Sequence, residues 1–155
     1  MCGIAGFLTN KNDALNEQHL LAMGNAIAHR GPDANGEYLD EHVGLCHRRL
    51  SILDLSPAGN QPMFSDDGNV AIVFNGEIYN YLELKTDLET DYDFKTTSDT
   101  EVLLAAFVKH GKNCLSLLNG MFAFAIWDER KQELFCARDR VGKKPLVYAE
   151  IGGAF

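Results

Sequence analysis

The second residue is a cysteine, in the run Met1-Cys2-Gly3-Ile4-Ala5-Gly6. Removal of the initiator methionine would place a thiol and a free α-amine on one residue, a nucleophile and a base together. The thiolate is the attacking form of cysteine, and a free thiol titrates at about 8.5, so it needs a base beside it. An α-amine, with a reference pKa of about 7.7 to 8, can take the proton directly or through one water. Gly3 leaves the approach open. A plainer account of the same residues is a small side chain that permits methionine trimming and a cysteine that packs as a small hydrophobe. A second grouping, Cys46-His47 with His42, is short of the ligands and spacing a metal site needs. The four cysteines, Cys2, Cys46, Cys114 and Cys136, include no Cys-x-x-Cys pair, so neither a zinc site nor a redox motif is expected.

The elements that must position Cys2 begin directly after it. Ile4 to Thr9 reads as a short buried strand, followed by a helix from Glu17 to Ala28 with Asn16 as N-cap and Leu20, Met23, Gly24 and Ile27 on one face. His29-Arg30-Gly31-Pro32-Asp33 breaks that helix, and strands Gly36 to Leu39 and Val43 to Arg48 follow, turned at Asp40-Glu41. Ser56 to Pro62 is a loop. Val70 to Phe74 is an apolar run of strand length that ends at Asn75-Gly76, a strong turn signal. A helix over Asn80 to Leu88 and a strand over Phe94 to Thr97 come next. Ser98-Asp99-Thr100-Glu101 is a capping box before the apolar run Val102 to Val108, closed by Gly111 with His110 at the negative end.

After a short helical segment around Leu115, Met121 to Trp127 and Glu133 to Arg138 form an antiparallel hairpin, and Leu146 to Ile151 reads as a further strand. Gly152-Gly153 announces a partner strand for it, yet the sequence ends two residues later, so the domain is expected to be incomplete at its C-terminus. Hairpins at both ends with helices between them predict an α+β fold, helices layered on antiparallel sheets, in one domain.

Composition narrows the function. At 155 residues, with 46% hydrophobic and 23% charged residues, the chain is an ordinary globule of one domain. No apolar run approaches the roughly 20 residues of a membrane span, and no signal peptide is recognisable, so a cytoplasmic location is expected. A formal net charge of -8 argues against a nucleic-acid or anionic-membrane surface, which needs clustered lysine and arginine.

Read together, the motifs resemble one family. Met1-Cys2-Gly3-Ile4-Ala5-Gly6, His29-Arg30-Gly31-Pro32-Asp33, Arg49-Leu50-Ser51-Ile52, Asn75-Gly76-Glu77-Ile78-Tyr79-Asn80, Ser98-Asp99-Thr100-Glu101, Gly120-Met121-Phe122-Ala123-Phe124 and Arg138-Asp139-Arg140 stand in the family's order. The chain resembles the glutaminase domain of glutamine-hydrolysing asparagine synthetase, a class II glutamine amidotransferase of the N-terminal-nucleophile hydrolase fold. That resemblance implies a four-layer αββα sandwich of two antiparallel sheets. The variants of His-Arg-Gly-Pro-Asp and of Arg-Asp-Arg-x-Gly-x-Lys-Pro-Leu are similar to those of asparagine synthetases, and other class II enzymes use different ones.

The resemblance also implies roles. Cys2, freed of Met1, would attack the side-chain amide of glutamine, and the oxyanion would be met by the Asn75 side chain and the Gly76 N–H, where a missing side chain lets substrate approach the backbone. Arg49 would grip the glutamine α-carboxylate in a two-bond fork, with Arg48 turned to the opposite face of the strand. Asp99 would pair with the α-ammonium, although an aspartate in a first helical turn is favourable with no ligand at all. Ile52, through its backbone, and Glu77, as a polar wall, complete the substrate site. His29-Arg30-Gly31-Pro32-Asp33 is read as structural, with Arg30 and Asp33 as partners, and Arg138-Asp139-Arg140 as architectural or an interface.

By the same resemblance, this segment needs no metal or cofactor. ATP and magnesium belong to a C-terminal synthetase domain that is absent here and that would amidate aspartate with the ammonia. A homodimer is left open, as is the acceptor: a related enzyme could amidate something other than aspartate. A third reading is a glutaminase fold retained only as an interaction module, since a retained Met1 would turn the α-amine into a non-basic amide nitrogen.

Overall fold

A computed structural model of the chain describes residues 1–9 and 15–155. Three antiparallel strands, β1 (Gly3–Leu8), β2 (Ala34–Leu39) and β3 (Val43–Arg49), form one sheet in the order β1-β3-β2. A second antiparallel sheet holds β4 (Met63–Phe64), β5 (Val70–Ile78), β6 (Gly120–Asp128) and β7 (Glu133–Arg138) in chain order. Helix α1 (Glu17–Ala26) packs on β1 and β3, and α2 (Tyr81–Leu88) and α3 (Asp99–His110) pack together, with α3 against β5.

Strand alternation sorts the apolar side chains into three interlayer seams. Phe7, Leu20 and Cys46 fill the seam beneath α1. Val43 and Leu45 of β3 meet Ala71 and Val73 of β5 and Ala125 and Trp127 of β6 between the sheets. The even-numbered positions Ile72, Phe74, Phe124 and Ile126 face the other way, onto Leu103, Leu104 and Phe107 of α3. The layers are therefore helix, sheet, sheet, helix, as expected. No helix among the described residues is long and apolar enough to cross a membrane.

Local chemistry explains most boundaries. Asn16 accepts from the N–H groups of Gln18 at 3.0 Å and His19 at 3.4 Å, so α1 starts as the cap predicts. Asp40 accepts from His42 and Val43 at 2.6 and 2.7 Å and closes the β2–β3 turn.

Three expectations are corrected. Asn75-Gly76 is no turn: β5 runs on to Ile78, paired throughout with β6, because burial and pairing outweigh the local turn preference. Phe94 to Thr97 is no strand. Glu101 spends its carboxylate on the backbone N–H groups of Lys95 at 2.9 Å and Thr96 at 2.7 Å, and that holds the segment as an irregular approach to α3. Nor is Leu146 to Ile151 a strand: only Ile151 bridges, to Ala154 across the Gly152-Gly153 turn, after which Phe155 exchanges two 2.8 Å bonds with Leu8 of β1.

Candidate active site

Cys2 sits at the entry to β1, half-buried, against the end of β3. Its Sγ accepts from the Leu50 N–H at 3.4 Å and lies 3.6 Å from the Leu50 carbonyl oxygen. Arg30 Nε donates to the Cys2 carbonyl at 3.0 Å, and Asp33 accepts from the Ser51 N–H at 2.8 Å. The turn after α1 thus clamps the backbone on both sides of the thiol. Arg30 and Asp33 do this through separate bonds, not as partners of each other.

The opposite wall is β5, and its hydrogen bonds explain why a cavity opens there. In an antiparallel sheet, alternate residues turn both backbone groups to the same side. On the side away from β6, the Val70 carbonyl accepts from Ser65 and Ile72 pairs with Met63 of β4. Beyond the short β4, side chains replace the strand: the Phe74 N–H donates to Gln61 Oε1 at 2.6 Å, and the Phe74 carbonyl lies 3.2 Å from His47 Nε2. The Ile78 N–H donates to Asp99 Oδ2 at 2.9 Å. Gly76 is the remaining member of that series. Its opposite number on β6, Phe122, turns both backbone groups to Asp139, so the Gly76 N–H faces the cavity that Gly76 lines.

The neighbouring Asn75 is buried and lines the same cavity, and its amide bonds no other described residue. Packing within the sheet gives a further reason for glycine at position 76. A Cβ there would lie 2.4 Å from the Met121 carbonyl oxygen and 2.8 Å from the Phe122 Cα, so contact with β6 excludes a side chain.

Strand alternation sends the two arginines of β3 apart. Arg48 donates to the Gly24 carbonyl at 2.9 Å and to Asn25 at 2.8 Å, on the α1 face. Arg49 turns inward, where Nη1 donates to the Ser56 carbonyl at 2.7 Å and Asn60 Oδ1 at 2.8 Å, and Nη2 donates to the Asp54 carbonyl. These bonds fix the guanidinium plane, and Gly59 has no side chain because a Cβ would lie 2.4 Å from Nη2. Asp54 in turn is held down to about 2 by bonds from the Ser56 hydroxyl and the Thr97 and Ser56 N–H groups, which tie the Arg49 loop to the approach of α3.

Asp99 lies in the first turn of α3 and is 5% exposed. Burial pushes its carboxyl up to about 6, against the bonds from the Ile78 and Thr100 N–H groups, and the nearby Glu77 charge adds to the rise. A cation arriving beside it would relieve that penalty.

These parts enclose one cavity of about 170 Å³, lined by Cys2, Arg49, Asn75, Gly76, Glu77 and Asp99, with Ile52, 68% exposed, at its rim. Every residue named from the sequence as a site candidate lines it. Asp54, Gln61 and Lys144 also line it and were not anticipated, although Asp-x-Ser-Pro at 54–57 is a legible side-chain turn. A larger apolar cavity of about 510 Å³, between β1, α1 and residues 146–155, holds none of the candidates.

One cavity thus gathers a half-buried cysteine, unpaired donors and opposite charges in a fold of two antiparallel sheets layered with helices. The glutamine amidotransferase domain family matches residues 1–155, and the chain belongs to it. Asparagine synthetase 1 (glutamine-hydrolyzing) of Bacillus subtilis is 47% identical over 156 residues, covering 97% of this chain and 24% of that protein. Amidase chry2 of Gibberella zeae is 43% identical over 160 residues, covering 96% and 24%. Asparagine synthetase B (glutamine-hydrolyzing) of Escherichia coli is 40% identical over 155 residues, covering 98% and 28%. The glutamine phosphoribosylpyrophosphate amidotransferase of B. subtilis, solved with ADP and GMP, has a TM-score of 0.78 at 24% identity, over 97% of this chain and 40% of that one. That likeness is one of fold. The chain spans about a quarter of the length of the first two relatives.

Proposed function

We propose that the chain hydrolyses glutamine to glutamate and ammonia through a thioester on Cys2, after removal of Met1. One observation carries this reading: a single cavity presents a thiol, two unpaired N–H donors, a fixed guanidinium and a buried carboxyl. An α-amino acid with a side-chain amide demands that set, its carboxylate on Arg49, its ammonium on Asp99 and its amide at Cys2.

In the first step the Cys2 α-amine takes the thiol proton and the sulfur attacks the amide carbon. The oxyanion so formed is met by the Asn75 amide and the Gly76 N–H, donors already in place and therefore free of reorganisation cost. Loss of one such donor typically lowers turnover by about a hundredfold or more. The protonated amine then gives its proton to the leaving nitrogen, ammonia departs, and water attacks the thioester by the same route to release glutamate.

The parent enzyme in this reading is a glutamine-hydrolysing asparagine synthetase, whose synthetase domain would spend ATP, with magnesium, to amidate aspartate with that ammonia. Similarity to a protein named an amidase keeps a second acceptor in view, with the same glutaminase chemistry. The reading is tested by intact mass before and after treatment with an electrophilic glutamine analogue. A single adduct on a chain lacking Met1, mapped to Cys2 and absent from Cys2→Ala, supports it. A processed, folded chain that takes no adduct and releases no ammonia from glutamine refutes it.

A further inference from the structure

The loop after β7 delivers a buried cation to the amino end of the cavity. Arg138 Nε donates to the Lys144 carbonyl at 2.6 Å and Nη2 to the Gly142 carbonyl at 2.6 Å, while Gly142 takes a φ of 68° that lets the loop fold back. Asp139 accepts from the Lys144 N–H at 3.0 Å and the Lys143 N–H at 2.9 Å. Burial alone would raise the Asp139 carboxyl, but these donors with those of Phe122 and Val141 outweigh it and hold the group down to about 2. The run Arg138-Asp139-Arg140 is architectural, and what it positions is Lys144.

Lys144 is 5% exposed and lines the cavity with Cys2. Its Nζ donates to Met1 Sδ at 3.0 Å, and it belongs to none of the ion pairs among the described residues. Lysine is seldom buried unpaired, because desolvating an ammonium is costly, and a thioether is a weak acceptor. Met1, 56% exposed, is moreover the residue that the proposed chemistry removes. Since Met1 is bonded to the Cys2 nitrogen, the ammonium stands one hydrogen bond beyond the side chain of the residue that precedes the future α-amine.

We propose that Lys144 belongs to the reaction centre: its ammonium is a fixed positive charge beside the Cys2 thiol and α-amine that favours loss of their first proton. The inference rests on Cys2 acting with its own amine as base. The thiol–ammonium form carries one positive charge and the reactive form is net neutral, whichever group gives up the proton, so a neighbouring cation favours the reactive form.

The other charges around the pair are Arg30 and Asp33 from the turn after α1, Arg49 from β3, Asp54 from its loop, Glu77 from β5 and Asp99 from α3. Arg30 holds the Cys2 carbonyl, Asp33 holds Ser51, and Arg49 and Asp54 are tied to the 54–60 loop and Thr97. Glu77 and Asp99 are of opposite sign and line the wall of the substrate site. Arg30 Nη2 is also buried without an acceptor, but Arg30 keeps its bond to the Cys2 carbonyl, whereas Lys144 Nζ is left with no acceptor among the described residues when Met1 leaves.

The test is kcat/KM for glutamine against pH in the full-length protein with Met1 removed. Lys144→Met is expected to move the acid limb up by about one pH unit, so that kcat/KM falls about tenfold on the acid side with a nearly unchanged plateau. Lys144→Arg, which keeps the charge, is expected to restore the limb. Lys144→Gln serves if the methionine variant does not fold, with thermal unfolding as the check. An unmoved limb in a folded neutral variant overturns the proposal, and so does failure of both neutral variants to fold, which makes Lys144 a structural cation. If the wild type itself neither turns over glutamine nor takes an adduct at Cys2, the parent reading fails, a separate result from a wild type that works and a neutral variant that matches it.

Discussion

Replacing Asp99 by asparagine should make the protein more stable and a poorer enzyme at the same pH. Burial raises this carboxyl from 3.8 to about 6, so near neutral pH the fold carries an ionised group it would hold more comfortably protonated. At 1.36 kcal/mol per pH unit that shift is roughly 3 kcal/mol, an order-of-magnitude figure. The sign follows from the raised value. Stability is fullest below 3.8, where folded and unfolded chains are both protonated, and is lost as pH rises through the window from 3.8 to about 6.

Asparagine removes the charge and keeps an oxygen for the Ile78 N–H, but its amide must face other N–H donors, which offsets about 1 to 2 kcal/mol. The remaining gain of about 1 to 2 kcal/mol corresponds to a rise in Tm of about 2 to 8 °C for a chain of this size. Thermal unfolding of both proteins at pH 7.5 and pH 4.5 gives the signature, with the advantage of the variant shrinking or reversing at the lower pH. Loss of a charged partner for the α-ammonium should raise the KM for glutamine about ten- to a hundredfold. A Tm difference that is the same at both pH values refutes the burial argument, and an unchanged KM removes Asp99 from the site.

Other substitutions probe the remaining walls. Arg49→Lys cannot reach Ser56, Asn60 and Asp54 together or fork onto a carboxylate, and a rise of about ten- to a hundredfold in KM is expected from steady-state kinetics. An unchanged KM there would place the α-carboxylate elsewhere. Gly76→Ala brings a Cβ within 2.4 Å of the Met121 carbonyl and should force β5 from β6, with about 1 to 3 kcal/mol lost in denaturant unfolding and glutaminase activity lost with it. Retention of wild-type stability would show that the strands accommodate a side chain.

Where local chemistry is self-contained, the chain was readable one segment at a time. Asn16 and Ser98 cap the helices they precede, and the β6–β7 hairpin falls where apolar runs flank a polar turn. Arg48 and Arg49 part because neighbouring strand residues always do. Where a side chain's choice depends on distant backbone, the reading failed. Asn75-Gly76 has the composition of a turn and is a strand because β6 lies beside it, and Glu101 shapes residues 95–96 through bonds that its place in a capping box does not reveal.

The site divides the same way. Residue type alone singled out the Cys2 thiol, because nucleophilicity is a property of a single side chain, whereas Arg49 and Asp99 were named only through the family resemblance. Their effect here comes from position. The Gly76 N–H is unpaired because β4 is too short to reach it, Asp99 is hard to ionise because α3 is packed into the core, and Lys144 meets the amino terminus only because the loop after β7 folds back. Sequence determines which groups a chain owns and which local bonds they prefer. Desolvation and the pairing left undone between distant segments belong to the tertiary structure, because both depend on what else occupies the surrounding space.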